Sequence, residues 1–197
     1  MSHDSEGPRL WLLRHGETEW SKSGQHTGRT DLPLTERGRV QAGKLRAPLA
    51  PLDFRAIVTS PRQRARDTCA LAGCADRDVR PVVDEDLAEW DYGEYEGITT
   101  PQIRARDPEW SLWRDGAPGG ESPEAICARV DRLIARWGGE EGDVALFAHG
   151  HVLRVIALRW LAWPLELGAQ LGLATATIGC VGTTGGRRGL LEWNRPA

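Results

Sequence analysis

Histidine, arginine and glycine come together twice in this chain in patterns that suit a phosphoryl group. Leu12-Leu13-Arg14-His15-Gly16-Glu17-Thr18 puts a guanidinium and an imidazole at the end of an apolar run, and Phe147-Ala148-His149-Gly150-His151 does much the same later on. A neutral imidazole is a nucleophile, and a guanidinium offers phosphate oxygens a planar fork of donors. Arg64 follows Ser60 by four residues. If Ser60-Pro61 opens a helix, Arg64 sits one turn in and leans back toward the positive end of the helix dipole. Arg14, His15, Arg64, His149 and that helix start then describe a pocket for a dianionic phosphate.

Each piece also has a plainer reading. Arg-His-Gly at a strand end is often structural, and many helices begin Ser-Pro and carry an arginine. His149 and His151 would share a face if they lay on a strand, as two metal ligands could, but no carboxylate or cysteine set stands near them in sequence. The expectation is therefore a site without metal or cofactor. Glu89 stands among Asp84, Glu85, Asp86, Asp91, Glu94 and Glu96. An acidic run is usually a solvated loop, and spacing alone does not choose among its members. Gly38 to Lys44 matches the first seven positions of a nucleotide-binding loop, but Leu45 replaces the hydroxyl that magnesium needs and the segment reads as helix.

The elements that must position these groups alternate. Strands are predicted at Arg9–Leu13, Arg55–Thr59, Val79–Val83 and Asp143–Ala148, the first and last ending in the two histidine motifs. Helices are predicted from Thr35 to about Ala47, stopped by Pro48; from Ser60-Pro61 to about Ala72; after Thr100-Pro101; from Ser122-Pro123 to Gly138-Gly139; and from the second histidine motif to about Ala162, before Pro164. Ser21 to Pro33 reads as loop, and Ala174–Gly182 with Gly189–Trp193 as a hairpin on the sheet edge. This order argues for an α/β fold, a mostly parallel sheet with helices on both faces, whose ligands bind at the carboxyl ends of the strands.

The 197 residues suit a single domain from residue 9 onward, after a loose tail over 1–8 in which His3 is inert. A net charge of -3 with scattered arginines argues against a nucleic-acid partner. No apolar stretch near the amino terminus is long enough for a signal peptide or membrane span, so the expected location is the cytoplasm. The four cysteines form no Cys-x-x-Cys pair and read as reduced structural thiols, while nine tryptophans against two phenylalanines read mainly as packing.

Taken in order, the motifs resemble the histidine phosphatase superfamily, phosphoglycerate-mutase-like branch. The matching stretches are Leu13 to Trp20, Thr27-Gly28-Arg29-Thr30-Asp31-Leu32-Pro33-Leu34-Thr35, Thr59 to Ala65 with Thr68, Leu87-Ala88-Glu89 leading to Tyr92 through Gly97, Gly119-Gly120-Glu121-Ser122, and Ala148-His149-Gly150. Ser21 to Gln25, Trp90-Asp91-Tyr92, Trp113 to Gly116 and Phe147 to His151 are similar to the sedoheptulose bisphosphatase type and to actinobacterial acid phosphatases. The resemblance implies a three-layer sandwich and a phosphomonoester hydrolase acting on small metabolites such as sugar phosphates. It makes His15 the nucleophile, sets Arg14, Arg64 and His149 around the phosphoryl group, and singles out Glu89 as general acid and base. Ser21, Thr27, Gly28, Tyr92 and Gly150 fall on the substrate side.

Two groups must then start in opposite states, His15 without its proton and Glu89 with one. This is easiest if burial or the nearby negative phosphate raises the Glu89 pKa, and a bell-shaped rate profile centred at mildly acidic to neutral pH is the expectation. Many relatives carry Asn at Ser21 and Gly or Asn at His151. His151 is open to three readings: contact with a second phosphate, contact with a sugar hydroxyl, or packing. Arg114 is the other candidate for a second anion, with Trp110 and Trp113 either lining a lid or lying in the core. Superfamily mutases usually carry a longer insert with an arginine pair. Here Ile98 to Gly119 is short, with Arg104, Arg106 and Arg114 isolated, which favours hydrolysis over phosphoryl return. A mutase and a non-catalytic phosphate-binding module are the alternatives, and a homodimer is the assembly to test for.

Overall fold

A computed structural model describes residues 7–139 and 141–197, so the predicted tail up to Glu6, with His3, lies outside the described residues. In chain order the elements are β1 (Leu10–Arg14), α1 (Glu19–Ser23), α2 (Glu36–Lys44), α3 (Arg46–Leu49), β2 (Phe54–Thr59), α4 (Gln63–Leu71), β3 (Val82–Val83), α5 (Thr100–Arg104), α6 (Leu112–Asp115), α7 (Pro123–Trp137), β4 (Asp143–Ala148), α8 (Gly150–Leu161), β5 (Thr177–Thr184) and β6 (Arg187–Pro196). The strands form one sheet in the order β3-β2-β4-β1-β5-β6. The pairs β3-β2, β2-β4 and β4-β1 are parallel, while β5 and β6 close the far edge as an antiparallel hairpin.

Side-chain alternation along the strands builds a separate core on each face. Leu10, Leu12, Val144 and Leu146 pack with α7 and α8, through Ile126, Val130, Leu133, Val152 and Ile156. Trp11, Leu13, Ala145 and Phe147 pack on the other face with Leu45, Leu49 and Cys69 from the α2–α4 side. The chain leaving β1 thus crosses to one face and the chain leaving β4 to the other. The two strands are neighbours, so their carboxyl ends bound a crevice of the kind in which open α/β sheets hold ligands. His15 and His149 are the residues that follow those ends.

The structure corrects several boundaries. Pro48 does not stop a helix but lies inside the short α3. The third strand shrinks to two exposed valines at the edge. The predicted loop from Ser21 overlaps α1, whose start is fixed by a capping box between Thr18 and Ser21. Ser60-Pro61 is not the cap of α4, because that helix starts at Gln63 and the Gln63 amide bonds the Asp31 carboxylate at 2.8 Å. The Ser60 hydroxyl is taken instead by His149. The Ser122 cap and the hairpin turn at Gly185-Gly186 fall where the sequence puts them. All four cysteines are free thiols, and Cys69, Cys74 and Cys180 are buried.

The segment that mimics a nucleotide-binding loop has a packing role. Gly38 in α2 lies against the turn after His15, where a Cβ would come within 2.1 Å of the Glu17 carbonyl oxygen. A Cβ on Gly16 would in turn meet the Gly38 carbonyl at 2.3 Å. Gly43 in the same helix has no heavy atom within 4 Å of that position. In urea unfolding, Gly38→Ala is therefore expected to cost about 1–3 kcal/mol by overpacking. Gly43→Ala should gain about 0.5–1 kcal/mol from helix propensity alone. Equal effects of the two substitutions would contradict this packing.

Candidate active site

The imidazole of His15 is nearly buried, at 5% exposure. Its backbone amide extends the β1–β4 ladder to the Ala148 carbonyl, 3.0 Å away, and its Nδ1 lies 2.7 Å from the Gly16 carbonyl. A carbonyl accepts only, so Nδ1 carries the proton and Nε2 keeps its lone pair. His149 has the opposite arrangement. Its Nδ1 accepts from Arg64 Nε at 3.0 Å, which leaves Nε2–H to donate to Ser60 Oγ at 2.7 Å. The two rings meet edge to face with centroids 5.2 Å apart. The reading of His149 and His151 as alternate strand residues does not survive, because β4 ends at Ala148 and His151 is already in α8.

Arg64 is fully buried. Besides His149, it donates to the carbonyls of Thr30 and Thr27, both at 2.9 Å, and Gly28 at 3.3 Å. Those carbonyls are presented by a loop whose Gly28 and Thr30 amides are held at 3.0 Å by the Glu96 carboxylate. Thr68 Oγ1 donates to the Arg64 carbonyl and accepts from the Gly16 amide, which ties α4 to the turn after His15.

Above these groups opens a cavity of about 300 Å³, lined by Arg14, His15, Ser21, Gly24, Gln25, His26, Thr27, Glu89, Tyr92, Thr100, Gly150, His151 and Arg154. Of the residues expected from the sequence, Arg14, His15, Ser21, Thr27, Glu89, Tyr92, Gly150 and His151 come together there. Arg64 and His149 stand directly behind this lining, with no exposed surface. Gly28 is not on the wall, since its amide and carbonyl are spent on Glu96 and Arg64. Arg114 is the clear misplacement. It is exposed and bound to the Asp115 carboxylate and the Glu109 carbonyl, and it borders a different groove. Trp110 and Trp113 are core residues rather than a lid.

Arg154 and His26 reach the cavity without having been singled out in the sequence. Arg154 lies one helical turn beyond Gly150, so its i+4 spacing from the second histidine motif is the signal that could have found it. Its Nε, like that of Arg14, is buried with no hydrogen-bond partner among the described residues. His26 stacks on Tyr92 with ring centroids 4.6 Å apart.

Without a bound phosphate, burial alone does not give Glu89 the raised value expected. Its Oε1 accepts from the amides of Trp90 and Val152, both at 2.9 Å, and its Oε2 accepts from the His151 amide at 3.0 Å. The carboxylate thus sits on the first turn of α8, where free amides and the helix dipole favour negative charge. Burial pushes its carboxyl up, but His151, through its nearby ring and its backbone amide, carries it well below the usual range. His15 is likewise held well below the ordinary histidine value, by burial first and then by Arg64 and Arg14. Burial and then Arg64 lower His149 as well, and burial with His151 nearby takes His26 down to about 4. Burial, and then Arg154, lowers Arg14 to about 10, so it stays charged at neutral pH.

A model of the histidine phosphatase superfamily, branch 1, matches residues 10–196. The chain belongs to that superfamily. Relatives at 43–44% identity are named phosphatases, and the chain is a phosphomonoester hydrolase. An acid phosphatase of Mycobacterium tuberculosis is 44% identical over 187 residues, covering 92% of this chain and 90% of the relative. Sedoheptulose 1,7-bisphosphatase of Saccharomyces cerevisiae is 43% identical over 192 residues, covering 83% of this chain and 69% of the relative. The solved structure of a Mycobacterium tuberculosis open reading frame product superposes with a TM-score of 0.89 at 42% identity, over 96% of this chain and 98% of the other. No helix among the described residues of this phosphatase is long and apolar enough to cross a membrane.

The lowered histidines link stability to pH. In the unfolded chain His15, His26 and His149 take up protons as pH falls through about 6.5, whereas in the fold they stay neutral to lower pH. The unfolded state then binds more protons, so stability is whole above about 6.5 and is lost below it. The urea midpoint of the unliganded protein should fall steadily from pH 7 to pH 4.5. A flat or rising midpoint over that range would contradict the neutral-histidine arrangement.

Proposed function

We propose that this phosphatase hydrolyses small sugar phosphates through a phosphohistidine formed on His15, with Glu89 as general acid and base. The observation that carries the reading is the His15 tautomer, in which Nδ1 is tied to the Gly16 carbonyl and Nε2 stays unprotonated in a ring on the cavity wall. Attack of that nitrogen on phosphorus leaves negative charge on the equatorial oxygens. Arg14 lies beside them, with Arg64 and His149 behind, for the electrostatic stabilisation on which phosphoryl transfer depends. The acid phosphatase and sedoheptulose bisphosphatase relatives support a phosphorylated metabolite as substrate. A cytoplasmic location goes with such a substrate, and a homodimer remains the assembly to test for.

Because Glu89 starts as a carboxylate, the proton for the leaving alkoxide reaches it with the substrate. Either the monoanionic ester brings it, or the dianion entering beside Glu89 raises the affinity of the carboxylate for a proton. The first route fades as the ester loses its second proton, near pH 6, and the second as pH rises past the raised value of Glu89. With His15 already neutral at low pH, kcat/KM is expected to peak on the acid side and fall through pH 6–8. A rate still rising at pH 8 would contradict this assignment.

The second anionic contact passes from Arg114 to Arg154, whose guanidinium lines the same cavity as Arg14 with its Nε unpaired. His151 hydrogen-bonds the Tyr92 hydroxyl at 2.7 Å and lies 3.8 Å from Glu89 Oε2, so it orders the wall between them. Phosphate release from a panel of sugar mono- and bisphosphates, run beside an isomerisation assay, tests the substrate class. Arg154→Met should raise KM for bisphosphates about tenfold or more, in line with the loss of a charge-assisted contact, and change monophosphates little. Fast isomerisation with negligible phosphate release, or an equal effect on both substrate groups, would overturn it.

A further inference from the structure

The Gly119-to-Ser122 motif carries family resemblance but contributes no group to the chemistry at the cavity, and Glu121 within it lies outside the cavity lining. Its carboxylate is paired with Arg129 of α7, Oε1 to Nε at 2.9 Å and Oε2 to Nη2 at 2.7 Å. Both side chains are largely shielded, at 15% and 12% exposure. The remaining donors of Arg129 go to main-chain carbonyls: Nη1 to Asp86 at 2.7 Å and Ala88 at 2.8 Å, and Nη2 to Glu89 at 3.5 Å. The backbone of Glu121 grips the other side of the same segment. Its carbonyl accepts from Trp90 Nε1 at 2.8 Å and its amide donates to the Asp91 carbonyl at 2.9 Å.

The main chain before Glu89 is therefore held by Arg129 of a largely shielded ion pair and the segment after it by the backbone of Glu121, while the Glu89 carboxylate is held from the front by α8. Arg132 and Arg136 project from the same face of α7 and also reach this segment, but they bind only the side chains of Asp84 and Asp86 and are about half exposed. A planar guanidinium can bridge three carbonyls and a carboxylate at once, which a lysine ammonium cannot.

We propose that Arg129, held by Glu121, is a positioning residue that sets the general acid and base Glu89 against the leaving oxygen. The proposal rests on the reading of Glu89 given above. It acts on proton delivery and not on phosphate binding, so its effect depends on how much the leaving group needs a proton.

The test compares kcat/KM for an alkyl phosphate with that for 2,4-dinitrophenyl phosphate, whose leaving group departs without protonation. Arg129→Met and Glu121→Gln are expected to lower the alkyl value by about tenfold to a hundredfold, part of the usual worth of a general acid, and the dinitrophenyl value far less. Arg129→Lys should recover only part of the loss, and Arg132→Gln should leave both values unchanged. Urea midpoints check that each variant is folded, and Arg129→Lys and Glu121→Gln stand in if Arg129→Met is not. Equal losses on both esters, or no loss on either, would overturn the positioning role. Glu89→Gln separates the two claims. If it shows the leaving-group dependence and the Arg129 variants do not, positioning alone fails; if it shows none, the reading beneath it fails as well.

Discussion

Arg64 is buried without a carboxylate in hydrogen-bonding range; its nearest acidic oxygen, on Asp31, is 4.0 Å away. The fold satisfies its guanidinium with main-chain carbonyls from the loop at Thr27–Thr30 and with the lone pair of His149 Nδ1, while its backbone carbonyl accepts from Thr68. A buried charge is tolerable only when its donors are satisfied in this way. In satisfying them, the chain draws α4, the substrate-side loop, the start of α8 and the turn after His15 into one place. The tautomer of His149 follows from this arrangement. So does the position of Asp31, which caps α4 at Gln63 while standing near the guanidinium.

Burial and this concentration of positive charge together set the protonation states. Burial first, and then the arginines around the imidazoles, keep His15 and His149 neutral. Glu89, the one carboxylate among the cavity-lining residues, is kept ionised by the amides of α8. The two groups that the chemistry needs in opposite proton states thus both start deprotonated. The missing proton becomes part of the substrate requirement, and the acid-side activity expected of this phosphatase is its consequence.

The sheet was legible because β1 and β4 are apolar runs that end abruptly in polar residues, a pattern that buried parallel strands impose on any sequence. Ser122-Pro123 was legible because capping is local. Ser60-Pro61 carries the same local signal, yet the helix starts later, because Asp31, far away in sequence, caps it and His149 takes the serine. Glu89 could not be chosen among its acidic neighbours for the same kind of reason. What distinguishes it is the first turn of a helix more than sixty residues away, and only family resemblance pointed to it. Arg114 has the right charge in the right segment, but Asp115 next to it draws it outward. Arg154 went unnoticed because a helix that returns across the site brings it there.

The proposed chemistry stands on His15 as the group that takes the phosphoryl. The most direct test is to quench the enzyme in alkali during turnover of a phosphate-labelled substrate and locate the label by peptide mapping. The expected result is an alkali-stable, acid-labile phosphate on His15 that is absent from His15→Ala. Label on another residue, or continued turnover by His15→Ala, would contradict it.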